Sequence, residues 1–432
     1  MKSRKILIGG ISLILLALGL AYPHFAIKTC TPAYPPLSIK KSDRVMIIAP
    51  HPDDEALATA GVIKYCVDHN IPVEVVIVTN GGFNLAWQRH LEILEAMKQL
   101  GLTDNITFLD YPQRLNYLLT QNWNRPYNGS NGIHYSMNEF SHNLNAPYTG
   151  ESLVMELEDV IRDFKPTIII YPDSNDTHLD HWATSAFVEY AITKLDYKCT
   201  SYGYIIHTPS LWPSPHSYSP NSYLTPPSYL SGSDWVEFPL TEENEKFKTL
   251  AIKSYKSQLK KSSSLLLSFV RRNELFSVQH PINLTSPGNS SKDSYPNVIS
   301  KDPENDMSRN FDSSVDLTNI GLGINNGAWI SLQTNGQIST NNTYEFHLLI
   351  IYENNTTGKI DIQVKGGRYS INKYGVTLSS PIIINEENDI IENSIIVRIP
   401  TTFKKGDKII MSADAIGFRS IDMTPWQLIE IT

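Results

Sequence analysis

Cysteine is scarce in this sequence. Cys30, Cys66 and Cys199 are the only three in 432 residues. They are too few for a disulfide framework and too scattered for a zinc knuckle, and the odd count leaves at least one unpaired within the chain. Positive charge is also short, with 36 Lys and Arg against 44 Asp and Glu, for a net charge of -8. A nucleic-acid binder needs a basic face, so no nucleic acid is expected as a partner. No solenoid period is visible. A long uncharged apolar run occurs at the N-terminus, where Lys2, Arg4 and Lys5 precede Ile6 to Tyr22. This is the pattern of a signal peptide or an N-terminal membrane anchor, assigned to 1–24, and it falls slightly short of the ~20 apolar residues of a typical span. Gly19-Leu20-Ala21 offers a small-residue cleavage site, whereas Lys28-Thr29 before Cys30 makes a poor lipobox. The expectation is an exported chain, extracellular or membrane-anchored, touching the membrane only if that segment is retained.

Apolar residues make up 41% of the chain, enough for a substantial core. Residues 25–43 include Pro-rich, polar "KTCTPAYPPLSIKKSD" and read as a tether. From Arg44 strands and helices alternate. The β-rich runs are RVMIIA (44–49), VEVVIVT (73–79), ITFLD (106–110), TIIIY (167–171) and YGYIIH (202–207). Helical spacing covers 54–69, 89–100, 151–164, 181–195 and 241–267. Such alternation predicts an α/β fold over 44–279, a Rossmann-like, mostly parallel sheet with helices on both faces. Two long stretches, 118–150 and 211–230, break the pattern and are rich in aromatics; their Trp123, Tyr127, Tyr148, Trp212 and Tyr218 suit either sugar stacking or loop packing. Polar 280–310 reads as a linker. From 311 to 432 short β-rich runs separated by turn residues predict an all-β sandwich.

Chemistry concentrates at two strand ends. The first strand runs into His51-Pro52-Asp53-Asp54-Glu55, and the fourth into "YPDSNDTHLDHWA", with His178, Asp180 and His181. Sites in parallel sheets lie beyond the carboxyl ends of the strands, so the two clusters belong on one edge. Two histidines and a carboxylate are a common ligand set for catalytic zinc, though they suit other divalent metals too. A cation would offset the repulsion within the carboxylate run. Taken singly, Asp53 or Asp54 could cap the following helix and the histidines could be ordinary loop residues. Jointly, those readings require two independent clusters to fall at strand ends by accident.

With its strand-HPDDE opening and a later D-x-H-x-D-H, the sequence resembles the PIG-L/LmbE-like deacetylases, zinc enzymes that remove acetyl groups from N-acetylglucosaminyl conjugates. Further matches are Arg89, Glu92, Ala96 and Leu100-Gly101 on one helix, Pro147 to Gly150, Lys253 to Gln258, and Arg271 to Phe276. The resemblance covers about 44–277. It implies His51, Asp54 and His181 as zinc ligands and Asp53 as general base. It makes His178, oriented by Asp180, the group that stabilises the oxyanion or protonates the leaving amine. Arg89, Tyr148 and Trp123 are candidate substrate residues, and Glu55 is expected to support its loop by hydrogen bonding. Asn80-Gly81-Gly82 and Tyr111-Pro112-Gln113-Arg114 depart from the family's acidic pattern, which bears on which sugar is recognised. The expected partner is an N-acetylated saccharide or glycoconjugate. The alternatives are a saccharide-binding protein on the same fold and a metal-dependent amidase or esterase for another acylated substrate.

Overall fold

The computed structural model describes residues 34–128, 132–285, 296–304, 306, 311–324, 327–384 and 392–432. The expected signal or anchor over 1–24 lies outside them, as does the first part of the tether. Among the described residues no helix is long and apolar enough to cross a membrane.

The elements of the first half are β1 (Val45–Ala49), α1 (Asp54–Asp68), β2 (Val73–Thr79), α2 (Ala86–Leu100), β3 (Ile106–Tyr111), α3 (Leu115–Thr120), α4 (Gly150–Phe164), β4 (Ile168–Pro172), α5 (Leu179–Lys194), β5 (Thr200–Tyr204), β6 (Trp235–Pro239), α6 (Glu242–Ser254), α7 (Lys256–Ser268) and β7 (Asn273–Ser277). The sheet order is β3-β2-β1-β4-β5-β7-β6, parallel from β3 to β5, with β7 and β6 added antiparallel. Strands β1, β2 and β4 are buried at every position, because helices cover both faces. Alternate residues feed two cores. Val45, Ile47, Val75 and Ile77 pack with α1, α2 and α6, and Met46, Ile48, Val76 and Val78 pack with α4 and α5. The chain runs from β1 outward to β3 and then returns to the other side of β1 as β4. The switch point, where ligands enter such sheets, therefore lies between the ends of β1 and β4.

Three local departures from expectation have physical causes. Ile206 and His207 lie beyond β5 because their N–H groups go to the Asp176 carboxylate at 2.8 and 3.0 Å instead of to a neighbouring strand. The helix expected over 241–267 is two helices, broken at Tyr255 (φ -79, ψ 63). Within the tether, Leu37 and Ile39 are buried, and the Leu37 N–H donates to Glu237 O of β6 at 2.8 Å.

The second half contains β8 (Ile282–Leu284), β9 (Asn297–Lys301), β10 (Leu317–Ile324), β11 (Ala328–Thr334), β12 (Thr343–Ile351), β13 (Thr357–Lys365), β14 (Arg368–Tyr374), β15 (Ile383–Ile384), β16 (Ser394–Ile399), β17 (Lys408–Ile416), β18 (Ile421–Met423) and β19 (Gln427–Ile431). One sheet runs β15-β16-β11-β10-β9 and the other β14-β13-β12-β17-β19-β8, with β18 beside β17. Pairing is antiparallel except between β19 and β8. Inner faces of both sheets share one apolar core. The stretch read as a linker over 280–310 is corrected here, since β8 and β9 lie inside it and belong to these sheets. Both are short and mostly solvent-facing, so apolar alternation does not reveal them.

The outer face of the larger sheet packs on the first domain. Leu349, Ile351, Ile410 and Trp426 join the core formed with α4 and α5. Trp182 of α5 is 1% exposed, lies 4.8 Å from the Trp426 ring, and donates its indole N–H to Thr424 O at 3.0 Å.

Candidate active site

The tight exit from β1 places His51, Asp53 and Asp54 at the switch point. Asp53 has φ 132, a left-handed conformation costly for a residue with a Cβ, and its side chain makes no capping hydrogen bond to α1. The helix-cap explanation for this carboxylate therefore fails. Asp53 instead pairs with the buried Arg89 guanidinium at 3.0 Å. Arg89 also donates to Pro52 O and, at 3.3 Å, to Gly81 O. Gly81 (φ 69) must lack a side chain, because a Cβ there would meet Arg89 Cδ at 2.5 Å. Burial pushes the Asp53 carboxyl up to about 6 against the opposing pull of Arg89.

Asp54 Oδ2 accepts the His51 N–H at 2.9 Å. It lies 3.3 Å from His51 Nδ1 and 3.1 Å from His181 Nε2. The far nitrogen of each ring is engaged elsewhere: His51 Nε2 is 3.0 Å from Asp180 Oδ2, and His181 Nδ1 is 3.0 Å from Asp176 Oδ2. Those bonds would keep a proton on each far nitrogen, so the near nitrogens are the ones a cation could take, and both lie within 3.3 Å of Asp54 Oδ2. His181 Nε2 is buried without a hydrogen-bond partner. Burial alone would lower the His51 pKa, but its hydrogen bonds to Asp180 and Asp54 push it up to about 9. The pocket thus draws positive charge.

The residues fit a first-row divalent cation. Tetrahedral ligands at about 2.0–2.1 Å from zinc stand roughly 3.3 Å apart, close to the separations of the two nitrogens from Asp54 Oδ2. Their carboxylate backing, Asp180 and Asp176, is the arrangement that fixes ligand histidines.

His178 lies at the N-terminus of α5, its ring 4.8 Å from His51 and 5.2 Å from His181. Its Nδ1 accepts the Asp180 N–H at 3.2 Å, which leaves Nε2 to carry the proton of a neutral ring. Asp180 thus touches His178 through its backbone N–H. The Asp180 carboxylate orients His51, and its second oxygen accepts the N–H groups of Arg114 and Leu115 at 2.8 and 2.6 Å.

His178 and Asp180 line a cleft of ≈ 570 Å³ together with Asn80, Arg114, Tyr127 and Tyr148. Gly82, Pro112 and Gln113 also line it, so both segments that depart from the family pattern face this space. Ile421 of β18 completes one wall. A larger cavity, ≈ 660 Å³, lies toward Trp426 and Cys199, away from His51 and His178. Two expected substrate residues are placed otherwise. Trp123 is 6% exposed and stacks on Phe187 in the core, and Arg89 lies behind Asp53 rather than on the cleft wall. Trp212 is likewise buried, against Phe269, and exposed Tyr218 does not line the cleft.

Several supports went unassigned in the sequence. Asp176 stood inside the second motif without a role, and it holds His181, His207 and the turn after β5. Glu55 behaves as expected, accepting the Asp53 N–H at 3.0 Å and the Tyr255 hydroxyl. The later motifs are scaffold. Glu92 accepts the N–H and hydroxyl of Ser257 at 2.8 and 2.6 Å. Glu274 accepts from Gly61 N, Val62 N and the Lys248 ammonium. Arg271 pins the 215–219 carbonyls.

Residues 46–192 match the family described as "PIG-L: GlcNAc-PI de-N-acetylase". No curated protein matches the chain. Among solved structures, the N,N'-diacetylchitobiose deacetylase from Pyrococcus horikoshii is 21% identical, with 54% of this chain and 82% of that one covered and a TM-score of 0.35. A zinc-inhibited form of a teicoplanin deacetylase is 18% identical, covering 54% and 97%, with a TM-score of 0.37. A deacetylase of the A40926 pseudoaglycone is 17% identical, covering 55% and 96%, with a TM-score of 0.36. At such scores these likenesses are noted only, and the functional reading rests on the side chains above. With both motifs gathered at one switch point, residues 46–192 are a domain of the PIG-L family.

Proposed function

We propose that this protein is an exported, zinc-dependent hydrolase that removes N-acetyl groups from N-acetylglucosamine-type sugars or glycoconjugates. The observation that carries the reading is that Asp54 Oδ2 lies within 3.3 Å of one nitrogen each of His51 and His181, beside a separate carboxylate, Asp53, that makes no capping hydrogen bond. A zinc ion held by the first three would lower the pKa of water and polarise an acyl carbonyl. Asp53, fixed by Arg89, takes the proton of the attacking water as its oxygen bonds to the acyl carbon. His178 Nε2–H donates to the carbonyl oxygen as negative charge grows there. When the C–N bond breaks, Asp53 returns the proton to the departing amine, and acetate and a free amino sugar leave. The cleft volume is within the ~300–1,000 Å³ of small-ligand sites. Its mixture of Tyr127, Tyr148, Asn80 and Arg114 suits a hydroxylated ring with an apolar face. Export rests on the basic lead and uncharged run of residues 2–22.

Acetate release from a panel of N-acetylated saccharides, with and without chelator, tests the reading. Release that stops on metal removal and returns on zinc addition is expected. No release from any member by zinc-loaded protein would overturn it in favour of a binding role.

A further inference from the structure

A second polar cluster lies where the sandwich meets the loop after β4. Asp302 follows β9, Asp306 lies four residues on, and Asp422 is the middle residue of β18. One carboxylate oxygen from each lies within 4.8 Å of the others. Asp302 is 8% exposed, and its Oδ2 is buried with no hydrogen-bond partner; Asp306 Oδ1 is in the same condition. Asp422 is fixed by backbone N–H groups, Leu317 to Oδ2 at 2.7 Å and Met423 to Oδ1 at 3.0 Å. Among the described residues, the charged groups that act most on Asp302 are Asp422, Asp306 and Asp316, all carboxylates. Carboxylates packed this way need a proton or a cation between them.

The space between them favours a cation. A cavity of ≈ 40 Å³ is lined by the three aspartates and by Asp176, and a single water takes up roughly 30 Å³, so one small ligand fits. Ser174, Asn175, Thr177 and Tyr229 add neutral oxygens to the lining; Ile421 and Met423 complete it, and none of the lining residues is a histidine or cysteine, so the charged donors are all oxygens. Oxygen-only donors select a hard cation, and calcium accepts six to eight of them in irregular geometry at about 2.4 Å, where oxygens on opposite sides of the ion stand about 4.8 Å apart. Magnesium demands a regular octahedron and keeps its water.

We infer that Asp302, Asp306 and Asp422 form a calcium site that fastens the 296–306 segment and β18 of the sandwich to the loop after β4. That loop carries Asp176 and His178, and Ile421 beside Asp422 is part of the cleft wall. Calcium here is a structural staple one residue away from the substrate cleft, separate from the catalytic cation.

Terbium luminescence on the full chain tests the site, because Tyr229 lines the cavity and can sensitise a bound lanthanide. Saturable luminescence is expected, displaced by calcium at a concentration at least ~10-fold below that needed with magnesium, together with a rise in Tm on calcium addition. Asp302→Asn and Asp306→Asn should each weaken terbium and calcium binding at least ~10-fold, whereas His51→Ala should leave both unchanged. Terbium binding that is equal in wild type and both asparagine variants would overturn the site. So would a wild-type Tm indifferent to calcium, or asparagine variants that are more stable in chelator with no change in calcium response, since the carboxylates would then be sharing protons.

Discussion

His181 in α5 and His347 in β12 are both fully buried, and each has one ring nitrogen on an aspartate and the other without a hydrogen-bond partner. Their surroundings differ. Around His347, the ring meets Asp361 at 2.9 Å, Asp414 at 3.7 Å and Glu345 at 3.9 Å, and the Lys359 ammonium also pairs with Asp361. His347 and the Lys359 ammonium stand among these three carboxylates, and His347 lines none of the cavities described above. Around His181, Asp54 and Asp176 have no lysine or arginine partner among the described residues, a second imidazole, His51, shares Asp54, and His178 opens the cluster to a cleft. The same residue types make a strut with a lysine of its own in one place and a cluster without lysine or arginine at Asp54 and Asp176 in the other. What separates them is whether a cation is built into the chain or must be supplied.

Four measurements break or sharpen that contrast, ordered by their effect on turnover. Asp54→Ala or His181→Ala should remove tightly bound zinc and lower kcat/KM by about 10³-fold or more, roughly 4 kcal/mol. Metal analysis and acetate release report both; a variant that keeps its metal would reject the ligand assignment. Asp53→Asn should retain the metal yet lose about 10²–10⁴-fold in kcat, because only the proton acceptor is gone. Unchanged turnover would remove Asp53 from the chemistry. Asp176→Asn keeps the shape behind His181 but not the charge. Zinc affinity should fall about 10–100-fold, with activity recovering at high zinc. The smallest effect on turnover belongs to the strut. His347→Gln should leave kcat/KM unaltered while destabilising the fold by about 3–5 kcal/mol, since Asp361 and Asp414 lose a buried partner.

The strut also carries a pH signature. Burial would lower the His347 pKa, but the hydrogen bond to Asp361 and the nearby Asp414 carboxylate raise it to about 10. A histidine whose folded pKa exceeds its unfolded value of about 6.5 contributes fully below that value. Its contribution fades as pH rises toward 10. Thermal unfolding of metal-loaded wild type should therefore show Tm falling between pH 7 and pH 9.5, with a shallower slope in His347→Gln; parallel slopes would place the titration elsewhere.

The sequence was most legible where one period dominated. Val73–Thr79 is a strand from end to end because a fully covered parallel strand leaves an unbroken β-branched run. His51, Asp54 and His181 were legible because unlike residues at strand ends have no packing reason to be there. What stayed hidden was partnership. Asp180 sits two residues from His178, yet its carboxylate reaches back to His51, 129 positions away. Trp123 reads as a sugar platform by its loop, but the sandwich and α5 close over it, with Lys359 above its ring at 5.8 Å. Strands β8 and β9 escaped notice because edge strands facing solvent need no apolar alternation.

The parallel pairing of β19 with β8 sets an order of events during synthesis. Ile282 and Ile429 are partners 147 residues apart, so the larger sheet cannot close until the ribosome has passed residue 429. Before β12 and β17 are made, Leu349, Ile351 and Ile410 cannot cover the α5 face, and Trp426 and Ile421 follow later still. Long-range closure of this kind is slow and leaves apolar surface open in the nascent chain. The first domain thus spends the whole of sandwich translation as a sticky, half-walled intermediate, and a chaperone that covers the α5 face would act in that interval.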